Sequence, residues 1–458
     1  MRLRTAALAM LAVACTSSVP APTPVVIPLT VGRTTPRDTT AGRAGTNPPP
    51  SRPQGPPTVL PSRRFPGNVR DVGGATIRVL LSANTAAVRI ASPGGLVLTG
   101  ADGSLLAKTA RDETWRVERQ GGGRRVRAVR PDGVGTVWVE PPLIAHSPGG
   151  ALLNVASKPY RGDLAFYGGD TGVVVVNVVK IDDYLMGVVP MEIGTRADAD
   201  SAAVQAQAIT ARSYAYTRRS TDHSRVYDLV AGVVDQVYGG AAVETPVSSQ
   251  AVESTRTLVL KYAGRVVNAP YSSTCGGETA AASEVWRSGD EPYLQRVSDR
   301  IPGTDRYYCD ISPRFSWTRT IEGPSLNAAL AQYLAAYTSV PNRTPGSARD
   351  VTIASHTGSG RVGTLTITTD RGNFSLRGND IRFVLRVPGG EILNSTYFSV
   401  DETHASGGSI GRLTIRGNGY GHGVGMCQWG AIGRARAGQD ARTILRTYFP
   451  GTTIGPAE

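Results

Sequence analysis

Glu192 is the carboxylate that stands inside an apolar run, flanked by Val188, Val189, Pro190, Met191 and Ile193. Taking a carboxyl out of water disfavours its charged form, so one held in such a run has a raised pKa and can give up a proton near neutral pH. The alternative is a glutamate that opens a helix, where its charge would favour the N-terminal amides. Other chemistry-bearing residues gather in three places. In Ala206-Gln-Ala-Ile-Thr-Ala-Arg-Ser-Tyr214, Gln207 and Tyr214 are seven apart and share one flank of a helix, while Gln205 and Arg212 share the other. Ser273 and Thr274 precede Gly276-Gly277, where a loop would bring hydroxyls and bare backbone together. His422 and Gln428 lie in a glycine-rich stretch near the end of the chain. Arg212 can equally pair with a carboxylate, Tyr214 can pack in a core, and His422 can hold a hydrogen-bond network.

The elements that must position these residues follow from local pattern. From about 75 to 180 the chain reads as short strands, among them 76–81, 87–91, 95–99, 115–118 and 172–177, broken by Gly, Pro and Asp. Val204, Ala208, Ala211 and Ala215 recur at helical spacing from Ser201 to Arg219, behind Asp200 or Ser201 as cap. Small alanines on that stripe imply close packing. Thr245-Pro246 opens a shorter helix to about Thr255, and the runs 257–262 and 265–270 flank Ala263-Gly264 as a hairpin. A helix is expected over 326–337, strands over 351–401 including 363–368, and a last helix from Ala441 to Tyr448. Glycines 417, 419, 421, 423 and 425 alternate with side chains, which in a strand would leave one face bare. No Rossmann strand precedes them, which excludes dinucleotide binding. The expected fold class is α+β, a β-rich lobe with packed helices flanking a substrate groove.

The ends and the composition set the context. Met-Arg-Leu-Arg, an apolar run from Ala6 to Ala14 and Cys15 have the layout of an export signal over residues 1–15, too short to span a membrane. Leu-Ala-Val-Ala-Cys15 also resembles a lipoprotein cleavage box, which makes Cys15 a lipidation candidate, although Ala12 stands where a larger aliphatic residue is usual. Residues 16–70 are rich in Pro, Thr and Arg and cannot bury enough apolar surface to order themselves, so they read as a tether. The net charge of +13 would suit nucleic acid, but only four of the 49 basic residues are lysine and the arginines are scattered, with no nucleic-acid motif. Any membrane association is expected through a lipid anchor.

The segment Asp183-Tyr-Leu-Met-Gly-Val-Val-Pro-Met-Glu-Ile193, the run 206–214, Ser273-Thr-Cys-Gly-Gly277 with Val285-Trp286, and Gly421-His-Gly-Val-Gly-Met-Cys-Gln-Trp-Gly430 together resemble the SpoIID/LytB family. The family signature runs Tyr-Leu-x-Gly-Val-Val-x-x-Glu, then Gln-Ala-x-x-Ala-Arg-Thr-Tyr. The four blocks fall in the family's order within a catalytic region placed at 166–458, after a β-rich N-terminal part at 71–165. The resemblance implies that Glu192 is the catalytic residue of a lytic transglycosylase cutting peptidoglycan glycan strands, in which the sugar's own hydroxyl attacks the anomeric carbon and leaves an anhydro-muramyl end. Gln207, Arg212, Tyr214, Ser273, Thr274, His422 and Gln428 are then the candidate substrate contacts, and the resemblance places the 273–277 loop beside the groove. Hydrolytic glycosidases generally use two carboxylates; here Asp198 and Asp200 fit helix capping and Asp182 and Asp183 fit a turn. The LytB branch implies the rival role, a wall-binding enhancer of a separate cell-wall amidase.

Cys275, Cys309 and Cys427 remain after Cys15. No Cys-x-x-Cys pair exists, so zinc has no support from spacing, and the expected chemistry requires no cofactor. Cys275 and Cys427 lie in two of the motifs that carry the resemblance, at positions where the family often has serine. In an exported chain a Cys275–Cys309 disulfide is the simpler reading, with Cys427 a buried small residue; a three-cysteine site, or one with His422, is the alternative. If Cys15 carries the anchor, Cys15→Ser should release the protein into the medium. Wild-type protein found soluble, starting beyond residue 15 with an unmodified terminus, would contradict it.

Overall fold

A run such as Val173-Val-Val-Val-Asn-Val-Val179 has no polar alternation and must be covered on both faces. The computed structural model, which describes residues 75–457 apart from 221–224, 288 and 388, places it as the strand Val173–Lys180, buried along almost its whole length. Cys15 and the proline-rich stretch lie outside the described residues. The strand sits inside a seven-stranded sheet whose order is Leu229–Val230, Thr76–Thr85, Val173–Lys180, Asp163–Gly168, Leu143–His146, Val97–Thr99 and Leu105–Lys108. The pairs are antiparallel except that Leu229–Val230 runs parallel to Thr76–Thr85. A five-stranded sheet, in the order Val126–Val129, Trp115–Arg119, Ala87–Ala91, Leu153–Val155 and Lys158–Tyr160, completes the β-rich part.

Directly from Lys180 the chain enters helix α1 (Ile181–Ile193), followed by α2 (Ser201–Arg218) and α3 (Pro246–Ser254). Short α4 (Ala282–Val285), α5 (Gly323–Tyr333), short α6 (Asp380–Val384), α7 (Gln428–Arg436) and α8 (Ala441–Tyr448) follow. The alanine stripe behaves as its composition requires: Ala203, Val204, Ala206, Ala208, Ala211 and Ala215 are all buried, and α2 packs against α1, α3, α7 and α8. Thr245 and Ser248 form a reciprocal capping box ahead of α3. The hairpin forms at Ala263-Gly264, both with positive φ. One core runs from Ile77 in the first strand to Phe449 at the end of α8. The fold is α+β. Position 165/166 falls inside the strand Asp163–Gly168, within that continuous core.

Residues 316–418 gather a second core, with Ile321, Leu326, Leu330, Leu365, Ile367, Leu413 and Ile415 buried. It is built from the sheets Ser316–Glu322/Ile410–Asn418/Phe398–His404 and Ala348–His356/Val362–Thr369/Gly372–Arg377, covered by α5 and α6. The helix expected over 326–337 starts earlier, because Pro324 takes the first turn, and it tightens into a 3₁₀ turn at Leu334–Ala336. The glycine alternation does not make a bare-faced strand. The strand ends at Asn418, and Gly419, Gly421, Gly423 and Gly425 all adopt positive φ, so the chain coils through conformations that only glycine takes without strain.

Gly187 marks where α1 meets the loop that serves the site. A Cβ there would lie 2.7 Å from both the Gly240 carbonyl oxygen and the Tyr238 ring, and the Gly187 carbonyl accepts a hydrogen bond from Gly239 N–H at 3.0 Å. Gly187→Ala should therefore lose about 2 kcal/mol by overpacking, read as a lower denaturant midpoint; unchanged stability would show that the loop yields freely.

Candidate functional site

Glu192 sits at the end of α1 rather than its start. Val188, Val189, Pro190 and Ile193 around it are buried, Gly194 with positive φ ends the helix, and the negative end of the helix dipole now opposes the carboxylate instead of favouring it. Its Oε1 accepts a hydrogen bond from the backbone N–H of Val237 at 2.7 Å. Burial raises its pKa from an ordinary 4.5 to about 7, against the opposing pull of the Val237 amide and the Tyr271 hydroxyl. Among the described residues no basic side chain forms an ion pair with it. The carboxyl is thus held by neutral donors and can exist in both protonation states near neutral pH.

A chain of neutral groups runs up to it. Tyr184 donates to Gln236 Oε1 at 3.2 Å, and Gln236 Nε2 donates to the Tyr271 hydroxyl at 3.1 Å. Burial, and then the nearby Glu192 charge, push the Tyr271 hydroxyl well above its usual range, so it stays protonated and faces Glu192 as a donor. Tyr271, Gln236, Tyr184 and the Val237 amide were not singled out from the sequence. The signal for two of them is Asp235-Gln-Val-Tyr-Gly-Gly240, a polar segment closed by two glycines, whose second has positive φ.

The expected contact residues divide sharply. Arg212 is fully buried and donates to Asp182 Oδ1 at 2.8 Å and to the carbonyls of Leu258 and Val252 at 3.1 Å each. It therefore ties α2 to α1 and to the strand after α3, and does not reach a substrate. Gln207 is fully buried as well; its Oε1 accepts from Gln428 Nε2 at 3.2 Å, and the same Gln428 amide donates to the Glu192 carbonyl at 3.1 Å. These two glutamines hold the end of α1 from behind. Thr274 is buried and does not open to a groove. Ser273 and Tyr214 are partly exposed, and Tyr214 donates to Asp235 Oδ1 at 2.9 Å. His422 Nδ1 accepts from Val424 N–H at 3.1 Å, and its ring lies 5.1 Å from that of Trp286. Burial, with Arg382 and Arg361 nearby, pushes His422 down to about 3, so it is a neutral, structural ring near neutral pH. Trp429, missed from the sequence, is partly exposed, stacks under Arg196 at 4.9 Å and donates its backbone N–H to the Ser273 carbonyl at 3.0 Å.

Other carboxylates are engaged or distant. Asp235 accepts from Tyr214 and, through Oδ2, from Val230 N–H at 3.0 Å. Asp200 does not cap α2 with its side chain; it pairs with Arg436 at 2.7 Å. Asp182 and Asp183 lie in the first turn of α1, two and a half turns or about 13 Å from Glu192 along the helix. The Cys275–Cys309 disulfide is not formed: the sulfurs are 3.6 Å apart and all three described cysteines are free, whereas a bond requires about 2.05 Å. Cys427 and Asp299 converge on the same point.

Residues 169–262 match the family described as stage II sporulation protein, and residues 304–425 a domain of unknown function. An uncharacterized protein of Brachyspira hyodysenteriae is 32% identical over 296 residues, which cover 64% of this chain and 72% of that protein. The chain belongs to the SpoIID/LytB family. Its members in Bacillus subtilis include stage II sporulation protein D, 29% identical over 299 residues covering 62% of this chain and 76% of that protein. They also include the amidase enhancer, 31% identical over 310 residues, of which this chain spans only 40%. The SpoIID match begins just after the strand Asp163–Gly168 and ends with the strand Leu258–Tyr262, so it contains Glu192, Gln207, Arg212 and Gln236, while Tyr271 and Gln428 lie beyond it. Among the described residues no helix is long and apolar enough to cross a membrane.

The raised acidity of Glu192 has a stability signature. With a folded value of about 7 against an ordinary 4.5, the native state holds the proton more tightly than the unfolded chain. Stability is therefore lost as pH rises from about 4.5 to about 7, and the full penalty persists above. Glu192→Gln removes the charge but keeps an acceptor for Val237, so its denaturant midpoint relative to wild type should rise across that window. A pH-independent difference would contradict the assignment.

Proposed function

We propose that the protein cleaves peptidoglycan glycan strands in the cell envelope as a lytic transglycosylase, with Glu192 acting first as general acid and then as general base. The observation that carries this reading is the desolvated Glu192 carboxyl, poised near pH 7 by burial and held by neutral donors alone. A group with that pKa can be protonated when the strand binds and ionised a step later. Glu192 gives its proton to the glycosidic oxygen as the bond to the anomeric carbon breaks. The sugar's own hydroxyl then attacks that carbon and passes its proton back to Glu192, leaving an anhydro-muramyl end and the starting enzyme. No water and no cofactor enter the balance.

That no second carboxylate stands free beside Glu192 among the described residues supports this sequence over hydrolysis. A second acid would have to position water or attack the sugar, and Asp235 has both oxygens occupied by Tyr214 and Val230. The Tyr184–Gln236–Tyr271 chain steadies Glu192 by a donor that never carries formal charge. The partly exposed Trp429, fixed beside Ser273 and adjacent to Gln428, offers an aromatic face of the kind on which a sugar ring packs. Export of the chain and an anchor at Cys15 would place the site on the wall side of the membrane. The second reading, a wall-binding enhancer of a separate amidase, is favoured by the similarity to the Bacillus subtilis amidase enhancer and would use the same surface.

Glycan strands, with and without stem peptides, incubated with the protein and weighed by mass spectrometry distinguish these. Wild type should produce anhydro-muramyl ends, with the rate falling above about pH 7 as Glu192 loses the proton it must donate. Glu192→Gln should cut about 10²- to 10⁴-fold more slowly while still binding strands. Wild-type rates in that variant would end the catalytic assignment, and a wild-type protein that makes no such ends but accelerates a cell-wall amidase would establish the second reading.

A further inference from the structure

Cys275, Cys309, Cys427 and Asp299 come from three separate segments of the chain and are all buried, with one ligand atom of each lying within 4.8 Å of every other. Cys275 Sγ is 3.6 Å from Cys309 Sγ and 3.3 Å from Asp299 Oδ2. Zinc bound at about 2.3 Å to each sulfur of a tetrahedron sets its sulfurs about 3.8 Å apart. The Cys275–Cys309 spacing is close to the edge of such a tetrahedron and too long for a disulfide, and Cys427 and Asp299 complete a cluster of four ligand atoms small enough to surround one ion.

The surroundings are those of a thiolate site. Cys427 Sγ accepts from the backbone N–H of Cys275 at 3.1 Å and of Gly430 at 3.3 Å. Asp299 offers Oδ2 to the sulfurs because Oδ1 is taken by Tyr448 at 2.6 Å and Arg434 at 3.0 Å, the outer partners that orient a ligating carboxylate. Gly430 is needed for this approach, since a Cβ there would fall 2.1 Å from Asp299 Oδ2. Arg361, fully buried, donates to the Cys275 carbonyl at 2.7 Å, yet its Nε and Nη1 have no hydrogen-bond partner among the described residues. Three thiolates and a carboxylate carry four negative charges; one divalent cation with Arg361 and Arg434 cancels them. Without the ion, Arg434 pairs with Asp299, while buried Arg361 faces the Cys275 and Cys427 thiols with the Glu284 carboxylate beyond.

We propose that Cys275, Cys309, Cys427 and Asp299 form a closed, structural tetrahedral zinc site. Sulfur-rich tetrahedral ligation selects zinc over the harder divalent ions, and complete burial leaves no open position for a substrate. The ion clamps the loop after Tyr271, the segment 299–309 and the start of α7. Cys427 is followed directly by Gln428, whose amide holds the Glu192 carbonyl, so the clamp also sets the support of the carboxyl. This inference stands whether or not the protein cleaves glycan.

The test is the metal and thiol content of the full chain purified under reducing conditions without chelator. About one zinc per chain is expected, released when a mercurial titrates the thiols, and cobalt grown into the site should give the intense visible absorption of tetrahedral cobalt thiolate. Stripping zinc from wild type should lower its melting temperature and restoring zinc should recover it, which keeps the proposal testable even if Cys309→Ser fails to fold. Where that variant does fold, its zinc affinity should fall at least 10-fold. Folded wild type that takes up no zinc after reduction and addition of a stoichiometric amount, or a non-reducing peptide map with Cys275 joined to Cys309, would overturn it.

Discussion

Everything at the site turns on keeping one carboxyl out of water without giving it a cation. An ion pair would drop the pKa of Glu192 and remove it from acid chemistry; a wholly apolar pocket would leave its lone pairs unmet at a cost of a few kcal/mol. The fold takes a middle course, with one backbone amide from Val237 and one phenol from Tyr271. Neither donor can transfer formal charge to the site. The consequence is a need for rigid support on both sides, because a shift of the loop carrying Val237 would either hydrate the carboxyl or orphan it.

That support explains residues that carry no chemistry of their own. On one side Gly187 lets the loop 236–240 lie against α1. On the other, Gln428 ties the Glu192 carbonyl to Gln207 across two helices, and Arg212 locks α2 to α1 and the following strand. The motif around Gln207 and Arg212 thus encodes scaffolding, while Ser273 and Trp429 are partly exposed.

Much of this was legible in the sequence. The strands 87–91 and 115–119, the hairpin at Ala263-Gly264, the Thr245 cap and the final helix follow from local pattern, which reports local structure well. The apolar surroundings of Glu192 were readable for the same reason. What could not be read was long-range. Tyr271 meets Gln236 only because the chain returns past α1, and the direction in which Arg212 points depends on Asp182, thirty residues earlier. The glycines after Asn418 misled because alternation suits a strand as well as a coil, and only backbone angles distinguish them. The cysteine cluster could not be read from spacing, because three sulfurs and a carboxylate are brought together from segments up to 152 residues apart, and a disulfide and a three-cysteine site both stayed open.

The acidity of Glu192 can be measured without any substrate. Carbon-13 NMR of the side-chain carboxyls, with the Glu192 signal assigned by its loss in Glu192→Gln, gives its titration midpoint in the folded protein. The account predicts a midpoint at about pH 7. A midpoint near the ordinary glutamate value of 4.5 would show a solvated carboxylate, and would contradict the claim that this fold exists to hold a neutral acid at the end of α1.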